Sequence, residues 1–471
     1  MGSLSARALA ILLAGWRDGG VAYAALADRI RLLILDGRVA PGTRLPAERE
    51  LATQVGVSRT TVTAAYAELR YSGFLSSVRG SGSIAQLPHK ATVSTDGPHP
   101  EFLDFSKATM PSIPQVADAA RVAAEQLPAY LGDSGFDPFG VLALRESIAA
   151  RYVSRGLPTT PDQIMVTIGA QHAIALINRT ILGRGDRALI ENPTYPHALD
   201  SLKAAGARIV PVSVTNDEGW DDIALEQAIQ RTSPALAYLM PDNHNPTGRS
   251  MPLEQRERTA ELALAHGTTL VIDETMAELG LDGTPTPAPF AVHGDAILVG
   301  SVGKTVWGGL RVGWIRADRP IIQRLARARY SGDLGTPVLE QLLVTELLRD
   351  FDSILDARRA YLRAGRGRLL GMLRDRLPEW RVPHVSGGLT AWVNLGDPVS
   401  SQLALAARNE GLVIAAGPRF GLDGAFERFL RIPFSYSAEE TERGVDALAN
   451  AWSSLSRHSL PMQADDLASV V

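Results

Sequence analysis

Residues 301–311 read SVGKTVWGGLR, and this stretch decides the fold of most of the chain. Its lysine, Lys304, has small residues on both sides, with Ser301 three positions before it and Arg311 seven positions after it. Only four lysines occur among the 471 residues, and arginine is the usual cation. Because the arginine guanidinium stays protonated, a lysine in such a loop indicates a site that needs a free amine.

The region after Phe102 has the pattern of an α/β fold. Short apolar runs alternate with segments of helical periodicity, and they predict strands at residues 164–168, 187–191, 207–210, 236–240, 270–273 and 296–300. Apolar strands separated by helices indicate a mostly parallel sheet that is covered on both faces. Ligands of such sheets bind at the carboxyl ends of the strands.

Polar residues follow these predicted strands, and their types suit pyridoxal 5'-phosphate (PLP). This cofactor needs a lysine for its Schiff base, a carboxylate that keeps its pyridine nitrogen protonated, and ligands for its ring and phosphate. Lys304 is the candidate Schiff-base lysine, and Asp273 is the candidate carboxylate. Asn245 is placed to meet the phenolate oxygen, and Tyr195 is the candidate for stacking on the ring.

The cofactor phosphate has candidate ligands at the start of a predicted helix. Ala170 and Gln171 follow Gly169 there, and a helix N-terminus favours an anion. Ser301 and Arg311 are predicted to assist them. Each signal alone has an ordinary explanation, such as a helix cap, a turn or a core side chain. The order in which they occur together is more specific.

This order of motifs resembles the fold-type I aminotransferases over roughly residues 102–455. The shared motifs are Asn-Pro-Thr-Gly at 245–248, the strand-end Asp273, and Ser-x-x-Lys followed by Gly-Leu-Arg-Val-Gly within 301–313. The resemblance implies that Arg431, in the apolar run 429–434, grips the α-carboxylate of a substrate or effector. The alternative is a surface arginine on a strand.

Two positions depart from the pattern of that family. Residues 274–276 are Glu-Thr-Met, where many relatives have a tyrosine that contacts the phenolate oxygen of the cofactor. Phe136 stands where relatives often have a tyrosine that reaches the phosphate in the other subunit. Both departures argue against efficient catalysis more than against cofactor binding.

The first ninety residues have the pattern of a helix–turn–helix. Apolar periodicity predicts a helix over residues 21–35, a second helix that begins at Pro46, and a third over residues 59–69. Ser58 is predicted to cap the third helix. Residues 74–85 have the pattern of a β-hairpin wing with a glycine-rich tip. The alternative is a generic three-helix domain with a solvated arginine face.

The same segment resembles the GntR-type winged-helix family across residues 21–87. The matching stretches are residues 42–46, 48–52, 57–62 and 73–75, together with 79–82. The resemblance implies DNA contacts at the start of the third helix and in the wing. The predicted contact residues are Arg49, Ser58, Arg59, Thr60, Thr61, Arg79, Gly80 and Gly82.

The composition agrees with a DNA-binding segment on an acidic body. Residues 1–90 carry 11 Lys/Arg against 6 Asp/Glu, although the whole chain has a net charge of −4. The chain has no cysteine, and its nine histidines lack the spacing of metal ligands. We therefore predict no metal site and expect a cytoplasmic protein. No apolar run reaches the ~18 residues of a membrane span.

These observations predict a multidomain α/β chain. We expect a winged helix–turn–helix domain at residues 1–87, a linker at 88–101, an aminotransferase-like PLP-binding domain at 102–455 and a tail at 456–471. This arrangement resembles the MocR/GabR-type regulators over nearly the whole chain.

The resemblance implies a PLP-dependent transcription regulator. It would form a homodimer, bind a double-stranded DNA operator, and respond to PLP, an amine or an amino acid. One alternative is an active PLP-dependent aminotransferase with an appended DNA-binding module. Another alternative is a regulator whose aminotransferase-like body binds no cofactor.

Overall fold

The computed structural model describes residues 3–13, 16, 22–35, 38–40, 42–78, 82–86, 102–283, 285–422 and 424–455. The predicted linker at 88–101 and the predicted tail at 456–471 lie outside the described residues. The domain boundaries therefore stay predictions.

The N-terminal domain is a helical unit with a β-hairpin. Its elements are α1 (Ala6–Leu12), α2 (Ala22–Leu35), α3 (Glu48–Val55), α4 (Arg59–Tyr71), β1 (Leu75–Val78) and β2 (Gly82–Ala85). The two strands pair antiparallel, as the predicted wing requires. Val62, Tyr66 and Leu69 form the buried face of α4, and they pack against α2 and α3 in one apolar core.

The helix–turn–helix itself differs from the prediction at one end. The helix α3 begins at Glu48, two residues later than the predicted start at Pro46. The carbonyl of Pro46 instead accepts a hydrogen bond from the buried hydroxyl of Tyr66 at 3.0 Å, which ties the chain before α3 to α4. The predicted cap is present, because the hydroxyl of Ser58 accepts from the backbone N–H of Thr61 at 3.1 Å.

The described body contains one large sheet, a three-stranded sheet and a parallel pair of short strands. Its strands are β3 (Leu103–Asp104), β4 (Ile164–Thr167), β5 (Arg187–Asn192), β6 (Arg208–Thr215), β7 (Gly219–Trp220), β8 (Leu236–Leu239), β9 (Thr269–Asp273), β10 (Ile297–Ser301), β11 (Gly313–Arg316), β12 (Thr390–Asn394), β13 (Leu412–Val413), β14 (Ala415–Ala416) and β15 (Phe429–Pro433). The parallel pair is β3 with β13. The large sheet has the order β4-β11-β10-β9-β8-β5-β6-β7. Its central pairs from β10 to β6 are parallel, and β11 is antiparallel to both of its neighbours.

Helices cover both faces of the large sheet. The helices of the body are α5 (Gln115–Gln126), α6 (Leu142–Ser154), α7 (Ala170–Ile181), α8 (Pro196–Ala204), α9 (Asp222–Thr232), α10 (Leu253–His266), α11 (Arg319–Arg329), α12 (Val338–Leu347), α13 (Phe351–Arg376), α14 (Ser400–Asn409) and α15 (Ala438–Ser454). Along β9, Ile272 belongs to one apolar cluster and Val271 to the other. Successive residues of a strand point to opposite faces, so the sheet is buried on both sides as predicted.

The three-stranded sheet has the antiparallel order β12-β15-β14. Its central strand β15 carries Arg431, which pairs with Trp392 on one side and Ala415 on the other. Within the described part of the chain, no helix is both long and apolar enough to cross a membrane.

Candidate cofactor and effector site

A cavity of about 520 Å³ lies at the carboxyl ends of the parallel strands. It collects the polar residues that the sequence places after separate strands. The predicted cofactor and effector residues that line it are Ala170, Gln171, Tyr195, Asn245, Asp273, Ser301, Lys304, Arg311 and Arg431. Residues 106–109, His197, Arg419 and Phe420 also line the cavity, although no sequence motif singled them out.

Lys304 lies in the loop after β10, and its amine reaches into this cavity. Its Nζ donates a hydrogen bond to the carbonyl of Ala108 at 2.6 Å. The pKa of Lys304 is lowered to about 8, mainly by burial and also by the positive charge of Arg431, against the opposing effect of Asp273. A neutral amine is the nucleophilic form, so this pKa favours attack on an aldehyde near neutral pH.

Asp273 is buried at the end of β9, and both of its carboxylate oxygens accept hydrogen bonds. The hydroxyl of Tyr238 donates to Oδ2 at 2.6 Å. The hydroxyl of Thr275 donates to Oδ1 at 2.6 Å, and the backbone N–H of Thr275 donates to the same oxygen at 2.9 Å. These donors fix the carboxylate for a cationic ring nitrogen. The sequence analysis assigned no role to Tyr238 or Thr275, although both hold this carboxylate.

The start of α7, which lines the same cavity, is suited to a phosphate. The helix α7 begins at Ala170, and its N-cap Gly169 has φ 78. A side chain at Gly169 would lie 2.9 Å from the guanidinium of Arg311, so glycine permits this close approach. The guanidinium and the free N–H groups of the helix therefore face the same space. Ser301 is held nearby by a hydrogen bond of 3.0 Å from its hydroxyl to the carbonyl of Val312.

Two polar groups are buried at the site without partners among the described residues. Asn245 is 8% exposed and its Oδ1 accepts no hydrogen bond, and the Oε1 of Gln171 is also unpaired. A buried polar atom without a partner is costly, so these atoms favour a bound polar molecule. Tyr195 lies beside them before α8, and burial raises the pKa of its hydroxyl to about 12, which keeps it protonated.

Arg431 is buried rather than on the surface, with 6% of its area exposed. Its guanidinium carbon lies 4.8 Å from the centre of the Phe420 ring, and its Nη2 donates to the carbonyl of Ser106. Its Nε has no partner among the described residues. Burial lowers the pKa of Arg431 to about 10. A buried guanidinium without a carboxylate partner is suited to binding an anionic ligand.

The two departures from the family pattern are visible in the structure. Met276 lines the cavity and provides no hydroxyl there. Phe136 is 68% exposed and does not line the cavity of its own chain. Asn245, the predicted partner of the phenolate oxygen, lines the same cavity.

The predicted DNA-contact residues that the structure describes lie on α3, at the start of α4 and on β2. Arg49, Ser58, Arg59 and Thr60 are exposed, and Thr61 is half-buried beneath the cap. Gly82 opens β2 with φ 80, whereas Arg79 and Gly80 lie outside the described residues. The exposed start of α4 presents N–H groups and cations, which suits a DNA backbone and base edges.

Comparison with known families agrees with this geometry. The model of aminotransferases of class I and II matches residues 108–448. The chain belongs to this family. The model of bacterial regulatory proteins of the gntR family matches residues 22–84. The predicted combination of a GntR winged helix with a fold-type I aminotransferase-like body is therefore confirmed.

Both transaminases and transcription regulators resemble this aminotransferase-family chain. The 2-aminoadipate transaminase of Thermus thermophilus is 31% identical over 309 residues, which are 64% of this chain and 78% of the transaminase. The HTH-type transcriptional regulator YisV of Bacillus subtilis is 27% identical over 455 residues, which are 88% of this chain and 93% of YisV. The HTH-type regulator NorG of Staphylococcus aureus is 25% identical and covers 84% of this chain and 96% of NorG. The regulators match nearly the whole chain, which confirms the predicted MocR-like arrangement.

A solved structure supports the cofactor prediction. LysN, an α-aminoadipate aminotransferase of Thermus thermophilus, was crystallised with N-(5'-phosphopyridoxyl)-L-leucine. It is 29% identical with a TM-score of 0.68, and the match covers 75% of this chain and 92% of LysN. PLP is thus confirmed as the cofactor of the family to which the body belongs.

Proposed function

We propose that this protein is a transcription regulator that binds DNA through its winged helix and senses PLP together with an amine or amino acid in its aminotransferase-like body. One observation carries the proposal. The amine of Lys304, the carboxylate of Asp273 and the buried guanidinium of Arg431 meet in one cavity, on a chain that also has an exposed helix–turn–helix.

Each residue has a proposed task at the bound cofactor. PLP supplies an aldehyde that exchanges amines and a ring that withdraws electrons. Lys304 provides the neutral amine that attaches it, and Asp273 holds a proton on the pyridine nitrogen. Arg311 and the N-terminus of α7 bind the phosphate. Arg431 orients a ligand carboxylate, which favours an amino acid over a simple amine.

We also propose that the protein is a homodimer in the cytoplasm, where it would reach its operator. Several large apolar side chains of the body are solvent-exposed in the single chain, and a second copy would bury such a surface. These side chains are Leu131, Phe136, Trp307, Tyr330, Leu334 and Leu339. We further propose that the winged-helix domain spans residues 1–87 and that the aminotransferase-like domain spans residues 102–455.

A second candidate function is transamination. It is favoured by the presence of Lys304, Asp273 and Arg431 together, because these groups suffice for amine exchange at a carbonyl. Sustained conversion of an amino donor without DNA would support it. Met276 and Phe136 argue for the regulator, since neither supplies the hydroxyl that active relatives often use.

The test measures DNA binding with and without PLP for the wild type and the Lys304→Ala variant. A suitable probe is a duplex selected by the protein from a random library. We expect PLP to change the DNA affinity of the wild type but not of the variant, and the visible band of bound cofactor to vanish in the variant. Lys203→Ala, which removes an exposed lysine from α8, is the matched control. Absence of DNA binding would refute the proposal and favour the enzyme.

A further inference from the structure

The winged helix and the body meet at one carboxylate. The Oε1 of Glu427, in the loop before β15, accepts from the Nη1 of Arg29 at 3.5 Å and from the Nη2 of Arg38 at 3.3 Å. Arg29 lies on α2 and Arg38 follows that helix, so both cations belong to the winged-helix domain. The side chain of Arg29 is 21% exposed, that of Arg38 is 12% exposed and that of Glu427 is 17% exposed. Water therefore screens this contact only partly.

The body holds Glu427 in place from its own side. The carboxylate accepts from the backbone N–H of Ser401 at 3.0 Å and from the Ser401 hydroxyl at 2.9 Å. Ser401 lies in the first turn of α14, where free N–H groups favour a negative charge. Glu427 is therefore a fixed acceptor, and the arginines of the winged helix are the side that would leave.

A cluster of aromatic rings connects this contact to the cavity. We call Trp392, Phe420, Phe426 and Phe429 the aromatic cluster. The ring of Trp392 stacks on Phe429 at 5.3 Å and meets Phe426 at 5.8 Å, on the two sides of Glu427 in sequence. Trp392 also meets Phe420 at 5.4 Å. Phe420 in turn lies under the guanidinium of Arg431 at 4.8 Å.

The backbone of the same loop packs tightly against the cavity wall. A side chain at Gly417 would overlap the carbonyl oxygens of Phe426 and Phe429, so the two segments are in direct contact. Phe426 has φ 72, a conformation that costs energy for a residue with a side chain. Packed segments of this kind move together rather than deform independently. A shift of residues 417–420 would therefore reach Glu427.

We propose that the ion pairs of Glu427 with Arg29 and Arg38 hold the winged helix on the body, and that a carboxylate bound at Arg431 releases it through the aromatic cluster. A bidentate carboxylate binds a guanidinium more strongly than an aromatic face does, so the ligand draws Arg431 away from Phe420. This inference rests on the proposed function, because it explains how that site would control DNA binding. The ligand acts only by its different affinity for the docked and released states.

The test compares two stable ligands that differ only in the carboxylate. These are the N-(5'-phosphopyridoxyl) adducts of L-alanine and of ethylamine, and both carry the smallest possible side chain. In the wild type we expect the alanine adduct to change the DNA dissociation constant by about 5–150-fold, and the ethylamine adduct to change it much less. In Glu427→Gln, which keeps the size of the side chain, we expect the alanine adduct to change it less than about twofold.

The matched control is Glu442→Gln. Glu442 forms an exposed ion pair with Arg376 inside the body at 3.5 Å, so its loss removes one charge without touching the winged helix. Glu442→Gln should respond to the adducts and bind them like the wild type. Glu427→Gln lacks the contact that favours the docked state, so it should bind the alanine adduct more tightly than the wild type does. A full response in Glu427→Gln would overturn the inference but leave the proposed function intact. A wild type whose DNA affinity ignores both adducts and PLP would overturn both.

A distance measurement keeps the inference testable without altering Glu427. The chain has no cysteine, so Asp28→Cys on α2 and Arg408→Cys on α14 give two unique sites for spin labels. Labelled chains are mixed with an excess of unlabelled chain, so that each dimer carries one pair. We expect one narrow distance without ligand and a longer, broader distribution with the alanine adduct. An unchanged distribution, together with a changed DNA affinity, would overturn the inference.

Discussion

The phenol of Tyr238 donates a hydrogen bond to the carboxylate of Asp273, with 2.6 Å between Oη and Oδ2. Both groups are buried, and desolvation raises the pKa of Tyr238 well above its ordinary value, with the charge of Asp273 adding to the effect. The phenol therefore stays a donor at every pH of interest. In the cofactor-free protein it compensates a buried negative charge that would otherwise depend on Thr275 alone.

Tyr238→Phe is expected to lower the free energy of unfolding of the cofactor-free protein by about 1.5–3 kcal/mol, the usual contribution of a hydrogen bond to a charged group. The loss should shrink when PLP is bound, because the pyridine N–H gives Asp273 another donor. Urea unfolding with and without PLP measures both effects. Tyr152→Phe is the control, since the buried Tyr152 hydroxyl accepts from the indole N–H of Trp314 and donates to no carboxylate among the described residues. Equal losses in the two variants, unaffected by PLP, would contradict the assignment.

The rate of PLP capture should follow the protonation of Lys304. Its pKa in the fold, about 8, lies below the ordinary value of 10.5, so the folded protein loses this proton first as pH rises. The rate constant should rise by about tenfold per pH unit below this pKa and level off above it. Stopped-flow absorbance measures it, with N-acetyl-lysine as the control amine. If the rate constant levelled off only near the pKa of the control amine, the fold would not lower the pKa of Lys304.

The same pKa difference makes stability depend on pH. Between about pH 8 and 10.5 the unfolded chain binds more protons at Lys304 than the folded chain does. The cofactor-free protein should therefore become more stable as pH rises through this window, as far as Lys304 contributes. In Lys304→Met this contribution should be absent, and the difference between the two unfolding curves measures it.

The residues around the cavity were predictable to different degrees, for a physical reason. Lys304, Asp273, Asn245 and Arg311 follow apolar strands, and the carboxyl ends of parallel strands meet at one edge, so sequence order alone predicts that they come together. Tyr238 lies inside an apolar strand, so the sequence pattern predicts only a buried side chain there and gives no role to its hydroxyl. Its bond to Asp273 depends on the register of β8 against β9, which no local pattern encodes.

The elements of the fold also differ in how well the sequence predicts them. Most apolar strands of the large sheet were predicted within about one residue at each end, because continuous apolar runs mark buried strands. The exception is β6, which extends to Thr215, beyond the predicted end at Val210. The antiparallel β11 was missed, since Gly313–Arg316 is short and follows a glycine-rich loop. The contact of Glu427 with Arg38 was also missed. It joins residues 389 positions apart, and single partly buried charges of this kind carry no periodic signal.

Arg431→Gln is expected to remove the preference of the site for a carboxylate. In the wild type, the N-(5'-phosphopyridoxyl) adduct of L-alanine should bind at least about 30-fold tighter than the ethylamine adduct, as a buried charge pair implies. The variant should bind both adducts similarly, and its affinity for the ethylamine adduct should stay near the wild-type value. Calorimetric titration measures all four affinities. A retained preference for the alanine adduct would assign the carboxylate to another cation, such as Arg419.

Arg59→Ala tests the DNA-contacting end of α4. Arg59 is exposed in the first turn after the Ser58 cap, so its removal should leave the fold intact. We expect DNA binding to weaken by about 1–3 kcal/mol if the guanidinium reads a base. If it contacts a phosphate instead, the plot of log affinity against log salt concentration should become less steep, with its slope smaller in magnitude by about 1. Fluorescence anisotropy at several salt concentrations distinguishes the two.

Arg121→Ala, which removes a 76% exposed guanidinium from α5 in the body, is the control for lost charge alone. An equal loss of affinity in both variants would mean that the body, rather than the start of α4, provides the DNA contact.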